Sequence, residues 1–168
     1  MDDKRRNFLK TSALAGAGTL LPTAQLHAAG ANTSTSSAGV QSYRRLGRTE
    51  LKVSDISFGS SRLRQGEEHL VEHALERGIN YFDTAESYTR GHSETVLGKA
   101  LKGKRDQVYL VSKTLTSSDS SAVQMMHDLD GSLKRLQTDY VDVYMNHAVN
   151  NVSVVGNPEW QSFVEQAK

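Results

Sequence analysis

The chain repeats one unit, in which a short strand-like segment is followed by a stretch with helical periodicity. Three such segments are rich in β-branched and aromatic residues and are bounded by polar turns: INYFDTA (79–85), VYLVSKT (108–114) and YVDVYMNH (140–147). Strands that alternate with helices of this length predict βαβ units and a parallel sheet. The predicted fold class is therefore α/β.

A chemically capable side chain lies at or just beyond the end of each segment. Asp83 lies near the end of the first segment and Tyr88 follows it, while Lys113 and His147 lie at the ends of the other two. Sites of parallel α/β folds form at the carboxyl ends of strands. We therefore expect these four side chains to share one proton-transfer centre.

These residue types together are suited to carbonyl chemistry. A tyrosine acts as an acid or base near neutrality only when a neighbour stabilises its phenolate, which Lys113 can do. Asp83 can keep that lysine charged and oriented, and His147 adds a hydrogen-bond donor. The group could polarise a carbonyl oxygen and protonate it. Because no side chain donates hydride, a full reduction requires a nicotinamide or comparable cofactor.

Further elements frame these units. Residues 43–54 (YRRLGRTELKVS) predict a small hairpin outside the main sheet, and residues 55–60 (DISFGS) predict the first main strand. Helices are predicted at about 67–77, from an N-cap at Ser93 to Gly103, at about 121–136, and from Asn157-Pro158 onward. Gly98 is expected to pack closely against the sheet. The expected core faces are Leu70, Val71, Ala74 and Leu75 in the first helix and Val123, Met126, Leu129, Leu133 and Leu136 in the third.

The N-terminus predicts export. The segment from Lys4 to Lys10 (KRRNFLK) closely resembles the twin-arginine motif, so the translocation machinery of that pathway is an expected partner. The apolar run that follows is too short to span about 30 Å of hydrocarbon, and Pro22 interrupts it, so no stable membrane anchor is expected. We predict a cleaved signal peptide at 1–31, a flexible polar linker at 32–42, a folded part at 43–168, and a periplasmic or other extracytoplasmic location. Ala29-Gly30-Ala31 fits a cleavage pattern, but Ala28 or Ala29 could equally be the last residue removed.

Composition and one competing motif limit the function classes. A net charge of +1 gives no electrostatic footprint for nucleic acid, and the absence of cysteine excludes thiolate catalysis and Cys-ligated metal sites in this sequence. His69, Glu72 and His73 match the H-x-x-E-H zinc motif. At helical spacing they lie opposite the apolar face, which favours a solvated helix surface, and no metal is expected.

Four segments resemble aldo-keto reductases: FDTAESY (82–88), GHSETVLGKAL (91–101), YLVSKT (109–114) and SLKRLQTDYVDVYMNH (132–147). The resemblance extends over 43–168. It implies Asp83 as orienter, Tyr88 as proton donor, Lys113 as modulator of the tyrosine's acidity, and His147 as the group that orients substrate. Gln137 stands where the family often has a helix-ending glycine, and Asn146 stands where an apolar residue is common.

The resemblance also implies a fold and a cofactor. The family fold is a (β/α)8 TIM barrel, of which this chain would supply the N-terminal hairpin and the first four β/α units, a half barrel. The implied cofactor is NADP or NAD, with NADP favoured, and its contacts near the first strand would fall on Gly59, Ser60, Ser61 and Asp83.

Two functions are consistent with a half barrel, since a complete barrel needs about 250 residues. The first is NAD(P)H-dependent reduction of a small-molecule aldehyde or ketone, carried out only together with a complementing C-terminal half. The alternative is a catalytically inactive half barrel that self-associates, for instance as a homodimer, or is a relic. Exposed sheet edges would favour such association.

Overall fold

A computed structural model describes residues 39–168. The predicted signal peptide and residues 32–38 of the predicted linker lie outside the described residues. The strands are β1 (Tyr43–Arg45), β2 (Lys52–Ser54), β3 (Phe58–Gly59), β4 (Tyr81–Asp83), β5 (Tyr109–Thr114) and β6 (Val143–Asn146). The α-helices are α1 (Glu68–Glu76), α2 (His92–Ala100), α3 (Ala122–Leu136), α4 (Val152–Val155) and α5 (Pro158–Gln166). Short 3₁₀ turns lie at Tyr88–Gly91 and Arg105–Gln107.

The main sheet confirms the parallel α/β prediction. Its strand order is β3-β4-β5-β6, and every pairing is parallel. Gly59 is opposite Asp83, and Lys113 is opposite Met145, so the carboxyl ends of four neighbouring strands form one edge. That edge is where the sequence concentrates its chemically capable side chains.

The predicted hairpin forms a separate two-stranded sheet from β1 and β2, which pair antiparallel. Asn80 attaches it to the main body, because its side chain accepts from the Ser54 N–H at 2.7 Å and donates to the Lys52 carbonyl at 2.9 Å. Residues 39–42, at the end of the predicted linker, also contact the body: the Val40 N–H donates to the Arg77 carbonyl at 3.0 Å.

Two apolar clusters form the core. The larger packs β4 and β5 against α1 and α2, and its centre includes Phe82, Val96 and Leu97, all fully buried. The smaller joins α3 to α5 through Met125 and Phe163. No helix within residues 39–168 is both long enough and apolar enough to cross a membrane.

The buried faces of two helices differ in part from the predicted ones. Leu70 is 43% exposed and Val123 is 79% exposed, so neither belongs to the core. The buried residues of α3 are Ala122, Met125, Leu129, Ser132 and Leu136. Small residues, Ala122 and Ser132, share this face with Met125, Leu129 and Leu136, so large apolar side chains alone do not mark it.

Two predictions for α2 were wrong. Gly91, not Ser93, occupies the N-cap position, with a left-handed φ of 82°, and Ser93 is fully buried inside the helix. Gly98 does pack closely, but against the end of α3 and not against the sheet: a Cβ there would lie 2.6 Å from the Arg135 carbonyl oxygen. Such a contact between two backbones requires glycine.

Candidate active site

The four candidate residues lie together at the carboxyl edge of the main sheet. Asp83 is the last residue of β4, and Lys113 precedes the last residue of β5. His147 directly follows β6, and its N–H donates to the Thr114 carbonyl at 2.8 Å, which continues the pairing with β5. Tyr88 begins the 3₁₀ turn beyond β4. The parallel register therefore brings together residues far apart in sequence.

Lys113 is the centre of this group. Its ammonium Nζ donates to Asp83 Oδ1 at 2.6 Å, to the Thr84 carbonyl at 2.8 Å and to Tyr88 Oη at 3.4 Å. Lys113 is only 8% exposed. An ammonium with so little water around it needs acceptors for all its hydrogens, and these three contacts supply them. The arrangement holds a positive charge directly beside the Tyr88 hydroxyl.

His147 closes the other side of Tyr88. The two rings are 5.3 Å apart between centroids and nearly perpendicular, at 80°. The His147 Nδ1 atom lies 3.3 Å from Ser87 Oγ. In the tautomer in which Ser87 donates to Nδ1, the other ring nitrogen carries the hydrogen and can act as a donor. A carbonyl oxygen placed beside Tyr88 would then have a hydroxyl and an imidazole N–H as donors.

Tyr88 is followed by an unusual backbone. Thr89 and Arg90 both have left-handed conformations, with φ values of 47° and 58°. A left-handed threonine is costly because of its branched Cβ. Here the Thr89 hydroxyl donates to the Leu63 carbonyl at 2.9 Å and accepts from the Ser93 N–H at 2.9 Å. These bonds tie the Tyr88 turn to the loop after β3, and no sequence pattern indicated them.

The predicted cofactor contacts divide into two kinds. Gly59 and Ser61 are exposed at the end of β3, and a Cβ on Gly59 would meet no atom within 4 Å, so a ligand can approach its backbone. Ser60 is 1% exposed. Its hydroxyl donates to the Asp83 carbonyl at 2.7 Å and accepts from Ser93 Oγ at 2.7 Å, so this side chain supports β4 from within.

Two other tyrosines of the main sheet, Tyr81 and Tyr144, have pKa values raised above the ordinary one. Burial, and then the neighbouring Asp83 carboxylate, raise the pKa of Tyr81 above its ordinary value of 10.0. Burial also strongly raises the pKa of Tyr144, and the Glu86 carboxylate adds to this effect.

The H-x-x-E-H motif lies on an exposed face of α1. His69, Glu72 and His73 are all exposed, and His73 Nδ1 lies 3.6 Å from Glu76 Oε2. Among residues 39–168, no three His, Cys, Asp or Glu side chains are grouped so that they could hold a metal ion.

Comparison of the sequence with known proteins identifies the family that it matches. The profile described as "Aldo/keto reductase family" matches residues 55–166, and the profile of the twin-arginine translocation pathway signal sequence matches residues 4–22. "Aldo-keto reductase YhdN" of Bacillus subtilis is 42% identical over 86 residues, which are 46% of this chain and 26% of that protein.

Solved structures agree with the sequence comparison. The holo form of aldo-keto reductase AKR11C1 from Bacillus halodurans has a TM-score of 0.65 and 31% identity, over 75% of this chain and 47% of that one. An aldo-keto reductase from Klebsiella pneumoniae in complex with NADPH has a TM-score of 0.55 and 31% identity, over 70% and 43%. The chain thus spans about half or less of the length of these proteins.

Proposed function

Because this chain belongs to the aldo/keto reductase family, we propose that, together with a complementing C-terminal half, it reduces the carbonyl group of a small aldehyde or ketone to an alcohol, with NADPH as hydride donor. The observation that carries this proposal is that the Lys113 ammonium donates hydrogen bonds to both Asp83 Oδ1 and Tyr88 Oη. The Klebsiella pneumoniae relative was solved with NADPH, which supports an NADP-type cofactor over NAD. When bound, NADPH would supply the hydride to the carbonyl carbon.

The side chains of this site would handle the proton. Tyr88 Oη gives its proton to the carbonyl oxygen, and the phenolate left behind is stabilised by the Lys113 ammonium 3.4 Å away. Asp83 accepts a hydrogen bond from the Lys113 ammonium and so fixes its direction. His147 donates a hydrogen bond to the same carbonyl oxygen and so orients the substrate. Tyr88 then takes up one proton from the solvent, so that the carbonyl compound, NADPH and one solvent proton give the alcohol and NADP+.

The residues around β3 fit a nicotinamide beside this proton donor. Gly59 is opposite Asp83 in the sheet register, and no atom lies within 4 Å of the position its Cβ would take. Its backbone is therefore accessible to a ligand beside Asp83. We propose that Gly59, Ser61 and Asp83 contact the cofactor near its reactive ring. Ser60 contributes indirectly by holding the Asp83 backbone in place.

The signal sequence adds a location to this proposal. A twin-arginine signal at residues 4–22 implies the machinery of that pathway, and we propose that the protein works in the periplasm or elsewhere outside the cytoplasm. That pathway carries folded proteins, so the cofactor would be bound before export and retained tightly.

One observation favours a second candidate, in which the chain acts through self-association without catalysis. In the described sheet β6 pairs with β5 alone. Met145 within β6 is 44% exposed, and Val152 and Val155 of α4, the next helix along the chain, are 84% and 66% exposed. An edge strand with exposed apolar neighbours is a surface for another copy or for complementing β/α units. This candidate predicts a dimer by sedimentation and no NADPH binding by calorimetry.

The test of the first candidate is transfer of deuterium. The protein, together with a complementing C-terminal half, is incubated with NADPH deuterated at the hydride position and a panel of aldehydes and ketones. We expect deuterium on the carbinol carbon of the product alcohol. A Tyr88→Phe preparation purified in parallel controls for reductases of the expression host. Equal product from both preparations, or none from either, would argue against the proposal.

A further inference from the structure

A carboxylate that the sequence did not single out lies between Asp83 and Tyr88. From its contacts we infer that Glu86 is a positioning residue, which holds Tyr88 at its distance from Lys113. This inference rests on the proposed function, because it assigns Glu86 a role in the same proton transfer. Glu86 does not itself contact the reacting atoms.

Three hydrogen bonds attach Glu86 to the end of β5. Its Oε1 atom accepts from Thr114 Oγ1 at 2.8 Å and from the Leu115 N–H at 2.8 Å. Its own N–H donates to the Lys113 carbonyl at 3.1 Å. Thr114 is fully buried, so one of these partners is fixed in the core. The loop beyond β4 is thereby fastened to the three residues that begin with Lys113.

This fastening holds Tyr88 on the side of β5, while the Thr89 hydroxyl holds the same turn on the side of Leu63 and Ser93. Tyr88 and Lys113 belong to different segments, and the contact between them, 3.4 Å long, is too long to hold the loop by itself. The Tyr88 N–H donates to the Ala85 carbonyl at 3.1 Å, a tight turn that makes Tyr88 follow any movement of Glu86. Misplacement of a reacting group by about 1 Å can reduce a rate about 100-fold.

The contacts require an acceptor of the right reach more than a charge. Both donors to Oε1 are neutral, so a glutamine amide oxygen could accept from them at the same place. Aspartate keeps the charge but is shorter by one methylene, and alanine removes the acceptor. Asp128 offers a matched control, because its Oδ2 atom is also near the Thr114 hydroxyl, at 3.4 Å, but belongs to α3.

The first test is spectroscopic and does not depend on activity. The chain contains six tyrosines, so 3-fluorotyrosine labelling gives six fluorine resonances, and loss of one in Tyr88→Phe assigns Tyr88. We expect Glu86→Ala and Glu86→Asp to shift or broaden the Tyr88 resonance. Glu86→Gln and Asp128→Ala should leave it in place. A Tyr88 resonance that Glu86→Ala and Glu86→Asp both leave unchanged would overturn the inference.

The second test is kinetic, with NADPH and a reducible carbonyl substrate. We expect Glu86→Ala to lower kcat about 100-fold with little change in the KM for NADPH. Glu86→Gln should recover most of that loss. If Glu86→Ala does not fold, Glu86→Asp should show the same selective fall in kcat, and wild-type turnover by Glu86→Asp would refute the role.

The two tests separate this inference from the function on which it rests. If Tyr88→Phe abolishes turnover while Glu86→Ala and Glu86→Asp do not lower it, only the role of Glu86 is wrong. If Tyr88→Phe leaves turnover unchanged, the proposed function is wrong, and the fluorine spectra still decide whether Glu86 positions Tyr88.

Discussion

Removal of Arg135 tests whether one buried ion pair holds the two central helices together. Glu94, in the first turn of α2, is fully buried, and its Oε2 atom accepts from Arg135 Nε of α3 at 2.7 Å. Its Oε1 atom accepts from Ser112 Oγ of β5 at 2.6 Å. Arg135→Met keeps much of the aliphatic volume but leaves the carboxylate with Ser112 alone.

The expected cost follows from the burial of the two partners. Breaking a buried pair by removing one member costs about 3–5 kcal/mol, because the remaining charge is uncompensated. The Arg135 side chain is 34% exposed, so water can reach the vacated position, and we expect the lower end, about 3 kcal/mol. For a folded part of this size, that corresponds to a fall in Tm of about 10 °C.

Urea denaturation followed by circular dichroism measures this cost, with a double mutant to isolate its cause. Glu94→Gln combined with Arg135→Met removes the charge as well as its partner, so the double variant should be more stable than Arg135→Met alone. Glu50→Gln is the surface control: its pair with Arg45 is also short, at 2.8 Å, but both side chains are largely exposed. It should cost less than about 1 kcal/mol.

The reasoning would be refuted by a loss below about 1 kcal/mol in Arg135→Met, since the surface control alone can reach that value. It would also fail if the double variant were no more stable than Arg135→Met. In that case the loss would come from packing and not from an unpaired carboxylate.

Two further predictions concern stability. Gln137 ends α3 with a left-handed φ of 54°, so Gln137→Gly should raise the free energy of unfolding by about 1 kcal/mol in the same urea assay; a loss would contradict it. Because the pKa of Tyr144 is raised from 10.0, the unfolded chain ionises this phenol first, and stability should fall as pH rises above about 10. Without this phenol, Tyr144→Phe should lose stability less steeply above that pH, by up to about 1.4 kcal/mol per pH unit. If the free energy of unfolding falls equally steeply with pH in both proteins, Tyr144 is not the cause.

The parts of this fold that follow from local pattern were accessible from the sequence. Strand ends are visible as the polar limits of β-branched segments, and parallel strands present their carboxyl ends at one edge. The strand pattern alone therefore places Asp83, Lys113 and His147 together. The hairpin and the helix that begins at Asn157-Pro158 also depend on short-range signals, and the structure contains both.

The parts that depend on tertiary contacts were not accessible in this way. Serine is a common N-cap residue, but the Ser93 hydroxyl is buried and forms hydrogen bonds with the hydroxyls of Ser60 and Thr84. Val123 is apolar and is expected on the core face of α3, yet it is exposed, whereas the polar Ser132 is buried. Glu86 acts through the end of another strand, and no spacing within its own segment indicates those partners.

The central claim is that Tyr88 supplies the proton for carbonyl reduction, and a single-turnover measurement tests it most directly. Protein loaded with NADPH is mixed with substrate, and loss of cofactor fluorescence reports hydride transfer for wild type, Tyr88→Phe and Tyr109→Phe. Tyr109 begins β5 at the opposite end of the sheet, so it serves as the matched control. We predict a fall of at least about 100-fold for Tyr88→Phe with unchanged NADPH affinity, and near wild-type transfer for Tyr109→Phe. Equal transfer rates in wild type and Tyr88→Phe would contradict the claim.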